Sequence, residues 1–251
     1  MMYHSELDLA KRAAKTAGDR LKQERSLPQE ILDDAGRDVK LRADREAESS
    51  ILGILTSESA FPILTEETGL HGSIQTGGPI WIVDPLDGTV NYSRGLPIFC
   101  VSIGLWLDDQ PLLGVVYDVL HEGMFSGVVG VGAWRNERSI HVSKIASPTS
   151  AIIATGFPVN RDFEAQSLKR FMTFLQEFKK VRLLGSAALS LAYLAAGGVD
   201  AYAEEDIMFW DVAAGVAIVS AAGGWISVMP SERHQWARNV YCTANQAIAD
   251  K

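Results

Sequence analysis

Two aspartates stand three residues apart where an apolar run ends. The run Ile80-Trp81-Ile82-Val83 reads as a β-strand and leads directly into Asp84-Pro85-Leu86-Asp87. Because Pro85 presets a turn, the carboxylates of Asp84 and Asp87 can converge at the end of the strand. A divalent cation relieves the repulsion between such carboxylates, and Mg²⁺ prefers oxygen ligands of this kind. The spacing therefore predicts a metal site, although turns that bind nothing use the same residue types.

The residues that follow this pair could receive an anion. Gly88 and Thr89 come directly after Asp87, and a glycine lets the backbone approach a ligand closely. If Thr89-Val90-Asn91 opens a helix, its free N–H groups face the space beside the carboxylates. The segment therefore predicts an anion held between metal ions and backbone N–H groups.

Two further acidic segments are candidates for the same site. Glu66-Glu67 follows the strand-like Ile63-Leu64-Thr65, a position that is also typical of a solvated turn. Asp211 precedes a long uncharged run, where its alternative role is to cap a helix. Burying Asp211 beside Phe209-Trp210 without a partner would be costly, and a cation is a natural partner.

Helices and strands must bring these segments together. Apolar residues at helical spacing predict an amphipathic helix over Leu7 to Leu21 and a second helix that starts near Asp44, with the Asp44 carboxylate as its cap. The middle of the chain is predicted to be mostly sheet, with strands at Pro62–Thr65, Ile80–Val83, Ile98–Trp106, Leu112–Tyr117 and Gly123–Val129. After residue 150, strands at Ala151–Ala154, Val181–Leu184 and Ala201–Ala203 alternate with helices at Leu168–Phe178, Ser186–Ala196 and Trp210–Ala222. We expect a layered α/β fold.

The chain has no internal repeat and no Pro- or Ser-rich linker. We expect one compact unit of two halves, residues 1–146 with most of the acidic segments and residues 147–251, with a ligand pocket at their seam. The longest uncharged run, Val212 to Met229, just reaches the length that spans a bilayer. Its glycines and serines favour a core helix, a Gly-Gly break and a buried strand instead.

Composition excludes other classes of protein. The 251 residues include 23 Lys and Arg against 31 Asp and Glu, a formal charge of −8, and the basic residues form no cluster. A nucleic-acid partner is therefore not expected. Cys100 and Cys242 lie among apolar residues, as buried reduced thiols do. The first residues lack the pattern of a signal peptide, so we expect a soluble, cytoplasmic protein without a membrane partner.

The three acidic segments together resemble the inositol monophosphatase family of Mg²⁺-dependent, Li⁺-sensitive phosphomonoesterases. One signature, Trp-x-Val-Asp-Pro-Leu-Asp-Gly-Thr-x-Asn, is complete at Trp81 to Asn91. The second, Trp-Asp-x-Ala-Ala-Gly, is complete at Trp210 to Gly215. The resemblance extends from the first helix to about Asn245 and implies an α/β (α+β layered) fold, the αβαβα sandwich of the sugar phosphatases.

The resemblance also implies roles for individual residues. A first Mg²⁺ would be held by Glu66, Asp84 and the backbone carbonyl of Leu86, and a second by Asp84, Asp87 and Asp211. Asp44 and Thr89 are similar to the pair that orients and deprotonates the attacking water, with Glu66 beside them. The residues implied in substrate binding are Asp87, Gly88, Thr89, Gly185, Ser186, Glu204 and Asp211, with the amides of Gly88 and Thr89 on the phosphate and Glu204 on substrate hydroxyls. For Glu204 the alternative is an exposed charge at a strand end, as we expect Glu205 and Asp206 to be.

Two departures from the family pattern concern a third metal. The family usually has Thr three residues before the aspartate at Asp44, whereas this chain has Leu41. The preceding loop, here Gly36-Arg37-Asp38, is short. Two Mg²⁺ sites are therefore expected, and a third is in doubt.

The resemblance leaves the substrate open within a class. Val90-Asn91-Tyr92 is closer to the inositol-phosphate and archaeal-type fructose-bisphosphatase branches than to the nucleotide or histidinol-phosphate branches. We expect a small phosphorylated polyol or sugar, myo-inositol monophosphate first, with fructose 1,6-bisphosphate or another sugar or nucleotide phosphate as alternatives. A regulatory binding protein on a phosphatase scaffold is the alternative of another class. The resemblance also implies a homodimer, for which Leu189–Ala196 is a candidate interface.

Overall fold

A computed structural model describes residues 3–25, 31–35, 38–158 and 162–250, of which 31, 33–35 and 38–40 are described by their backbone alone. Residues 36 and 37 of the short loop lie outside this part of the chain. The described helices are α1 (His4–Glu24), α2 (Arg42–Glu58), α3 (Thr89–Ser93), α4 (Ala165–Leu175), α5 (Ala187–Ala195), α6 (Phe209–Ala221) and α7 (Gln246–Ala249).

Most of the strands belong to two sheets. The strands are β1 (Ile31–Ala35), β2 (Asp38–Leu41), β3 (Ile63–Thr65), β4 (Gly69–His71), β5 (Pro79–Asp87), β6 (Cys100–Leu107), β7 (Gln110–Asp118), β8 (Gly123–Val128), β9 (Gly132–Arg135), β10 (Arg138–Ile140), β11 (Ile152–Thr155), β12 (Lys180–Arg182), β13 (Ala201–Met208), β14 (Trp225–Pro230) and β15 (Ala237–Thr243). An eight-stranded sheet has the order β10-β9-β8-β7-β6-β5-β3-β4, and a five-stranded sheet has the order β12-β11-β13-β15-β14. A separate antiparallel pair, β1 and β2, precedes α2.

The elements stack in five layers. Helices α1 and α2 cover the outer face of the eight-stranded sheet, where Leu21 and Ile51 pack on residues such as Trp81. Helices α5 and α6 fill the space between the two sheets. Helix α4 covers the outer face of the five-stranded sheet through Phe171 and Leu175. The expected αβαβα sandwich is confirmed.

Glycines let α6 lie directly on the eight-stranded sheet. A Cβ at Gly114 in β7 would be 2.1 Å from the carbonyl oxygen of Ala214, and one at Gly104 in β6 would be 3.0 Å from the Ala214 nitrogen. Any larger residue would therefore push the helix away. This close packing fixes where the first turn of α6, with Asp211, meets the sheet.

The start of α2 corrects one prediction. The helix begins at Arg42 with Leu41 as its N-cap, so Asp44 is its third residue and not its cap. The Asp44 carboxylate oxygen Oδ2 accepts a hydrogen bond from the Leu41 backbone N–H at 2.5 Å. The prediction was correct that the Asp44 carboxylate binds a backbone N–H at the start of the helix. The N–H belongs to Leu41, three residues before Asp44, and not to a residue that follows it.

Helix α5 corrects a second prediction. In the predicted segment Leu189–Ala196 every residue is buried between the sheets except Tyr193 and Ala196, which are half-buried against the same core, so the segment is not available as a dimer interface. Its continuous apolar character reflects burial on all sides.

The long uncharged run folds as a helix, a turn and a strand, as predicted. Helix α6 ends at Ala221 and β14 begins at Trp225. Strand β14 is an edge strand of half-buried and exposed residues, however, so the prediction of a buried strand is wrong. No helix in the described part of the chain has both the length and the apolar character needed to cross a bilayer.

Candidate active site

Three carboxylates from three elements meet at one point. Glu66, Asp84 and Asp211 each place one carboxylate oxygen within 4.8 Å of the other two. Because β3 and β5 are parallel neighbours, the ends of both strands point the same way, and the Glu66 N–H bonds the carbonyl of Val83 at 3.3 Å. Asp211 arrives on the first turn of α6. These three residues are called the carboxylate trio below.

A serine helps to hold α6 against β5. Ser102 in β6 pairs with Asp84 across the sheet, and its hydroxyl donates a hydrogen bond to the Trp210 carbonyl at 3.4 Å. The bond joins the residue beside Asp84 to the residue before Asp211. Two members of the trio are thereby set by one contact between sheet and helix.

The negative charges of the trio lie close together and oppose the ionisation of Asp84. Burial raises the pKa of Asp84 well above its ordinary value, and the charges of Glu66, Asp87 and Asp211 raise it further. The Leu86 backbone N–H, which bonds Asp84 Oδ1 at 2.9 Å, opposes this rise. Clustered carboxylate oxygens, here one buried and two half-buried, are the donor set that hard divalent cations prefer. The residues present therefore fit a bound Mg²⁺.

Asp87 lies beside the trio and is not a member of it. Its oxygen Oδ2 accepts hydrogen bonds from the Ser186 hydroxyl and, at 2.8 Å, from the Ala188 N–H. The Cys100 thiol approaches the same oxygen at 3.6 Å, and the Ala187 N–H bonds Oδ1 at 3.3 Å. Burial raises the pKa of Asp87, and the hydrogen bonds from Ser186 and Ala188 oppose the rise. The predicted ligand is thus anchored to the first turn of α5.

Asp44 and Thr89 meet as the resemblance implies. The Thr89 hydroxyl lies 3.4 Å from Asp44 Oδ1 and 2.9 Å from the Leu86 carbonyl oxygen, which it can bond as donor. Both Asp44 and Leu86 are buried, whereas Thr89 is partly exposed. A hydroxyl between two acceptors keeps its own lone pairs free for a further donor.

Glycines bring the loops of the site into contact. Gly88 has φ 92° as the N-cap of α3, and a Cβ there would be 2.8 Å from the Ile98 carbonyl oxygen. Gly185 has φ 71° and abuts the side chain of Asn91. The Asn91 amide donates hydrogen bonds to the carbonyls of Ile98 and Leu184, at 2.8 and 2.9 Å. The Gly185-Ser186 loop is therefore tied to α3, and the helix predicted from Thr89 is present.

Glu204 is buried, so the alternative of an exposed strand-end charge is wrong. A Cβ at Gly156 would be 2.6 Å from Glu204 Oε1, which means that the carboxylate lies directly against the chain after β11. Its neighbour Glu205 is exposed as expected. Asp206 is not, because it is buried in a bulge of β13, where it accepts a hydrogen bond from Ser231 and pairs with Arg233.

Sequence reasoning missed Glu48. This residue of α2 is 2% exposed, and its oxygen Oε1 accepts hydrogen bonds from the Thr65 hydroxyl and from the N–H groups of Glu67 and Thr68 at 3.1 and 3.2 Å. It therefore holds the turn that carries Glu66. The sequence feature that could have identified Glu48 is its position one helical turn after Asp44, on the helix face that also carries Ile51 and Leu55.

Comparison with known proteins decides the family. The sequence profile of the inositol monophosphatase family matches residues 2–251. The chain belongs to the inositol monophosphatase family. It is 40% identical over 193 residues, 76% of this chain and 67% of the relative, to a protein of Synechocystis named inositol-1-monophosphatase. A protein of Xylella fastidiosa named Nus factor SuhB is 40% identical over 200 residues, 78% of this chain and 71% of the relative.

The fold agrees with that of solved members of the inositol monophosphatase family. The inositol monophosphatase from Anabaena (Nostoc) superposes with a TM-score of 0.83 at 35% identity, covering 98% of this chain and 92% of the other. Membership makes the chain a phosphoric monoester hydrolase. The family is generally metal dependent, and the carboxylate trio is an acidic cluster that could hold a metal ion.

Proposed function

We propose that the protein is a Mg²⁺-dependent phosphatase that hydrolyses a small phosphomonoester, with myo-inositol monophosphate as the favoured substrate. The observation that carries the proposal is the carboxylate trio, three acidic oxygens within 4.8 Å of one another at the ends of β3, β5 and the start of α6. The Synechocystis relative named inositol-1-monophosphatase supports the substrate.

Five residues are proposed to hold two Mg²⁺ ions. They are the trio of Glu66, Asp84 and Asp211 together with Asp87 and the carbonyl oxygen of Leu86. When bound, Mg²⁺ supplies positive charge that stabilises the phosphoryl group and makes water a stronger nucleophile. The short loop at residues 36–38 and Leu41 give no support to a third ion, which we leave out of the proposal.

The chain's own groups are proposed to orient the water and the phosphate. The Thr89 hydroxyl donates to the Leu86 carbonyl or to Asp44 Oδ1, so its lone pairs can accept a hydrogen from the attacking water. Asp44 is the proposed base: the proton of the water passes to the Thr89 oxygen as the Thr89 proton passes to Asp44 Oδ1, with Glu66 proposed to assist. The N–H groups of Gly88 and Thr89 lie in the first turn of α3, where a helix leaves them without intrahelical acceptors. They are proposed to bind phosphate oxygens.

The organic part of the substrate is proposed to lie toward the second half of the chain. Glu204 would accept hydrogen bonds from substrate hydroxyls, with the Gly185-Ser186 loop, Asp87 and Asp211 around it. A carboxylate that accepts hydrogen bonds from hydroxyl groups favours the binding of a polyol or sugar phosphate over an ester without hydroxyl groups. Fructose 1,6-bisphosphate and nucleotide phosphates are the alternatives within this class.

A second candidate function is binding rather than hydrolysis. The observation that favours it is that the Xylella fastidiosa relative is named Nus factor SuhB and not a phosphatase. A regulatory role would be independent of the trio. A Glu66→Gln variant that has lost phosphatase activity would then still complement a regulatory defect of the deletion strain.

A substrate panel tests the proposed function. Phosphate release would be measured for inositol 1-phosphate, fructose 1,6-bisphosphate, histidinol phosphate and 3′-phosphoadenosine 5′-phosphate, each with Mg²⁺ and with excess chelator. We expect Mg²⁺-dependent release that is fastest for inositol 1-phosphate and inhibited by Li⁺. Faster hydrolysis of another ester would replace inositol 1-phosphate as the proposed substrate. Hydrolysis of none of the four esters would contradict the proposal.

The cytoplasmic location and the homodimer remain predictions. The α5 segment that first suggested a dimer interface is buried, so the dimer now rests on family resemblance alone. Size-exclusion chromatography with light scattering measures it directly, and a monomeric mass would contradict it.

A further inference from the structure

A buried tyrosine hydroxyl lies next to the proposed substrate carboxylate. Tyr202 of β13 is 0% exposed, and its hydroxyl is the one buried side-chain polar atom, among the described residues, without a hydrogen bond of ordinary geometry. An unpaired buried hydroxyl destabilises a fold, and phenylalanine would fill the same space without that cost. Such a group calls for a functional explanation.

Strand geometry directs the hydroxyl toward the site. Tyr202 and Glu204 are two residues apart on β13 and pair with Cys242 and Val240 of β15 in regular register. Side chains two apart in a strand project from the same face, so both point into the layer that holds α5 and α6. Gly156 leaves room for the Glu204 carboxylate, because a Cβ there would be 2.6 Å from Glu204 Oε1.

The surroundings of the hydroxyl are acidic. Burial raises the pKa of Tyr202 well above its ordinary value; the charges of Glu204 and Asp211, the side-chain interaction of the hydroxyl with Glu204, and the charge of Asp87 raise it further. The hydroxyl is therefore a donor that keeps its proton, facing carboxylates that can only accept. Glu204 differs from the other two because it belongs to the proposed substrate contacts and not to the metal ligands.

We infer that Tyr202 is a positioning residue for substrate recognition: its hydroxyl donates a hydrogen bond to the Glu204 carboxylate when a substrate hydroxyl binds there. One Glu204 oxygen is then fixed by Tyr202, and the other is oriented toward the substrate. The inference rests on the proposed function, because it assigns to that reaction a residue that selects hydroxyl-bearing esters. It adds no step to the hydrolysis itself.

Tyr202→Phe tests the inference by the difference between two substrates. Inositol 1-phosphate carries ring hydroxyls, whereas 4-nitrophenyl phosphate carries none. We expect KM for inositol 1-phosphate to rise about tenfold with little change in kcat, and kcat/KM for 4-nitrophenyl phosphate to stay at the wild-type value. Because the variant removes an unpaired hydroxyl, its Tm should equal or exceed that of the wild type.

Two further variants make the test specific. Tyr241→Phe is the matched control, since Tyr241 lies on the neighbouring strand β15 and faces α4 on the opposite side of the sheet. This variant should leave KM and kcat unchanged for both substrates. Glu204→Gln should raise KM for inositol 1-phosphate at least as much as Tyr202→Phe does, and the double variant should have a KM no higher than that of Glu204→Gln alone.

The outcomes separate this inference from the proposed function. If wild-type protein hydrolyses neither ester with Mg²⁺, the phosphatase proposal fails. If the wild type is active but Tyr202→Phe affects both esters equally or neither, the phosphatase proposal stands and the role of Tyr202 is overturned. A lowered Tm with unchanged kinetics would also overturn it, because it would make the hydroxyl purely structural.

Discussion

Asp87 serves two parts of the molecule with two different oxygens. Oδ2 takes the hydrogen bonds from Ser186, Ala188 and Cys100, while Oδ1 has, among the described residues, the single long contact to the Ala187 N–H at 3.3 Å. An asparagine could keep its carbonyl oxygen in the place of Oδ2 and lose only the weaker contact. The charge at the metal site and the anchoring of α5 can therefore be separated by one substitution.

We expect Asp87→Asn to abolish activity and to leave the fold intact. Phosphate release should fall by roughly 10²- to 10³-fold, while the free energy of unfolding should change by no more than about 1–2 kcal/mol. Kinetics and denaturant unfolding on the same preparation measure both. Asp118→Asn is the control, because Asp118 is 1% exposed but bonds His121 and Tyr193 outside the trio. An active Asp87→Asn protein would refute the role of Asp87.

Asp84 tests the electrostatics of the trio. In metal-free protein its charge is opposed by burial and by Glu66, Asp87 and Asp211. Asp84→Asn keeps the acceptor for the Leu86 N–H and removes the charge, so we expect its stability in chelator to exceed that of the wild type by about 1–3 kcal/mol. Thermal unfolding in mildly alkaline buffer measures the change.

Addition of Mg²⁺ should reverse this order. A ligand that binds only the folded state stabilises it, so the wild type should gain stability with Mg²⁺ and Asp84→Asn should gain far less. A wild-type Tm that does not respond to Mg²⁺, or an Asp84→Asn protein that unfolds more easily in chelator, would contradict the assignment of the trio.

At the scale of elements, the contact between α6 and the eight-stranded sheet positions Asp211 in the site. A Cβ at Gly114 would overlap the Ala214 backbone, so Gly114→Ala must displace the helix that carries Asp211. We expect a loss of about 3 kcal/mol or more in the free energy of unfolding, together with weaker Mg²⁺ binding. Chemical denaturation and calorimetric titration check the two effects.

A second glycine provides the control for that substitution. A Cβ at Gly53 in α2 would meet no atom within 4 Å outside the backbone of its own helix, so Gly53→Ala should stabilise the protein by about 0.5–1 kcal/mol. Equal effects of the two alanine substitutions would show that the close packing of α6 is not what positions Asp211.

The elements also show what a sequence can predict. Acids at strand ends and the helix after Gly88 follow from local patterns, so Asp84, Glu66 and α3 were predictable. The bonds from Asp87 to the first turn of α5 were not, because they join residues about a hundred positions apart. The start of α2 was misplaced because a capping bond reaches back three residues from Asp44. Local chemistry could be predicted from the residues themselves, whereas the meeting of distant segments, such as Asp44 with Thr89, was predicted only through the family resemblance.

At the scale of the whole molecule, the site is built by both halves of the chain. Asp84 lies in the eight-stranded sheet and Glu66 directly follows its strand β3, whereas Asp211 lies in α6 and Glu204 in β13. One core runs between the two sheets and contains residues of both, such as Trp106 and Val240. The protein has a formal charge of −8, and three of its carboxylates cluster here, where an anionic ester is proposed to bind. An anionic ester can bind next to these carboxylates only if cations bind first and reverse the local charge.

The central claim is that the trio binds the Mg²⁺ that hydrolysis requires. The most direct measurement is phosphate release from inositol 1-phosphate by protein stripped with chelator, followed as Mg²⁺ is added back. The account predicts no release without the metal, saturable recovery with Mg²⁺, and no recovery for Glu66→Gln at the same concentrations. Full activity in excess chelator, or recovery by Glu66→Gln equal to that of the wild type, would contradict it.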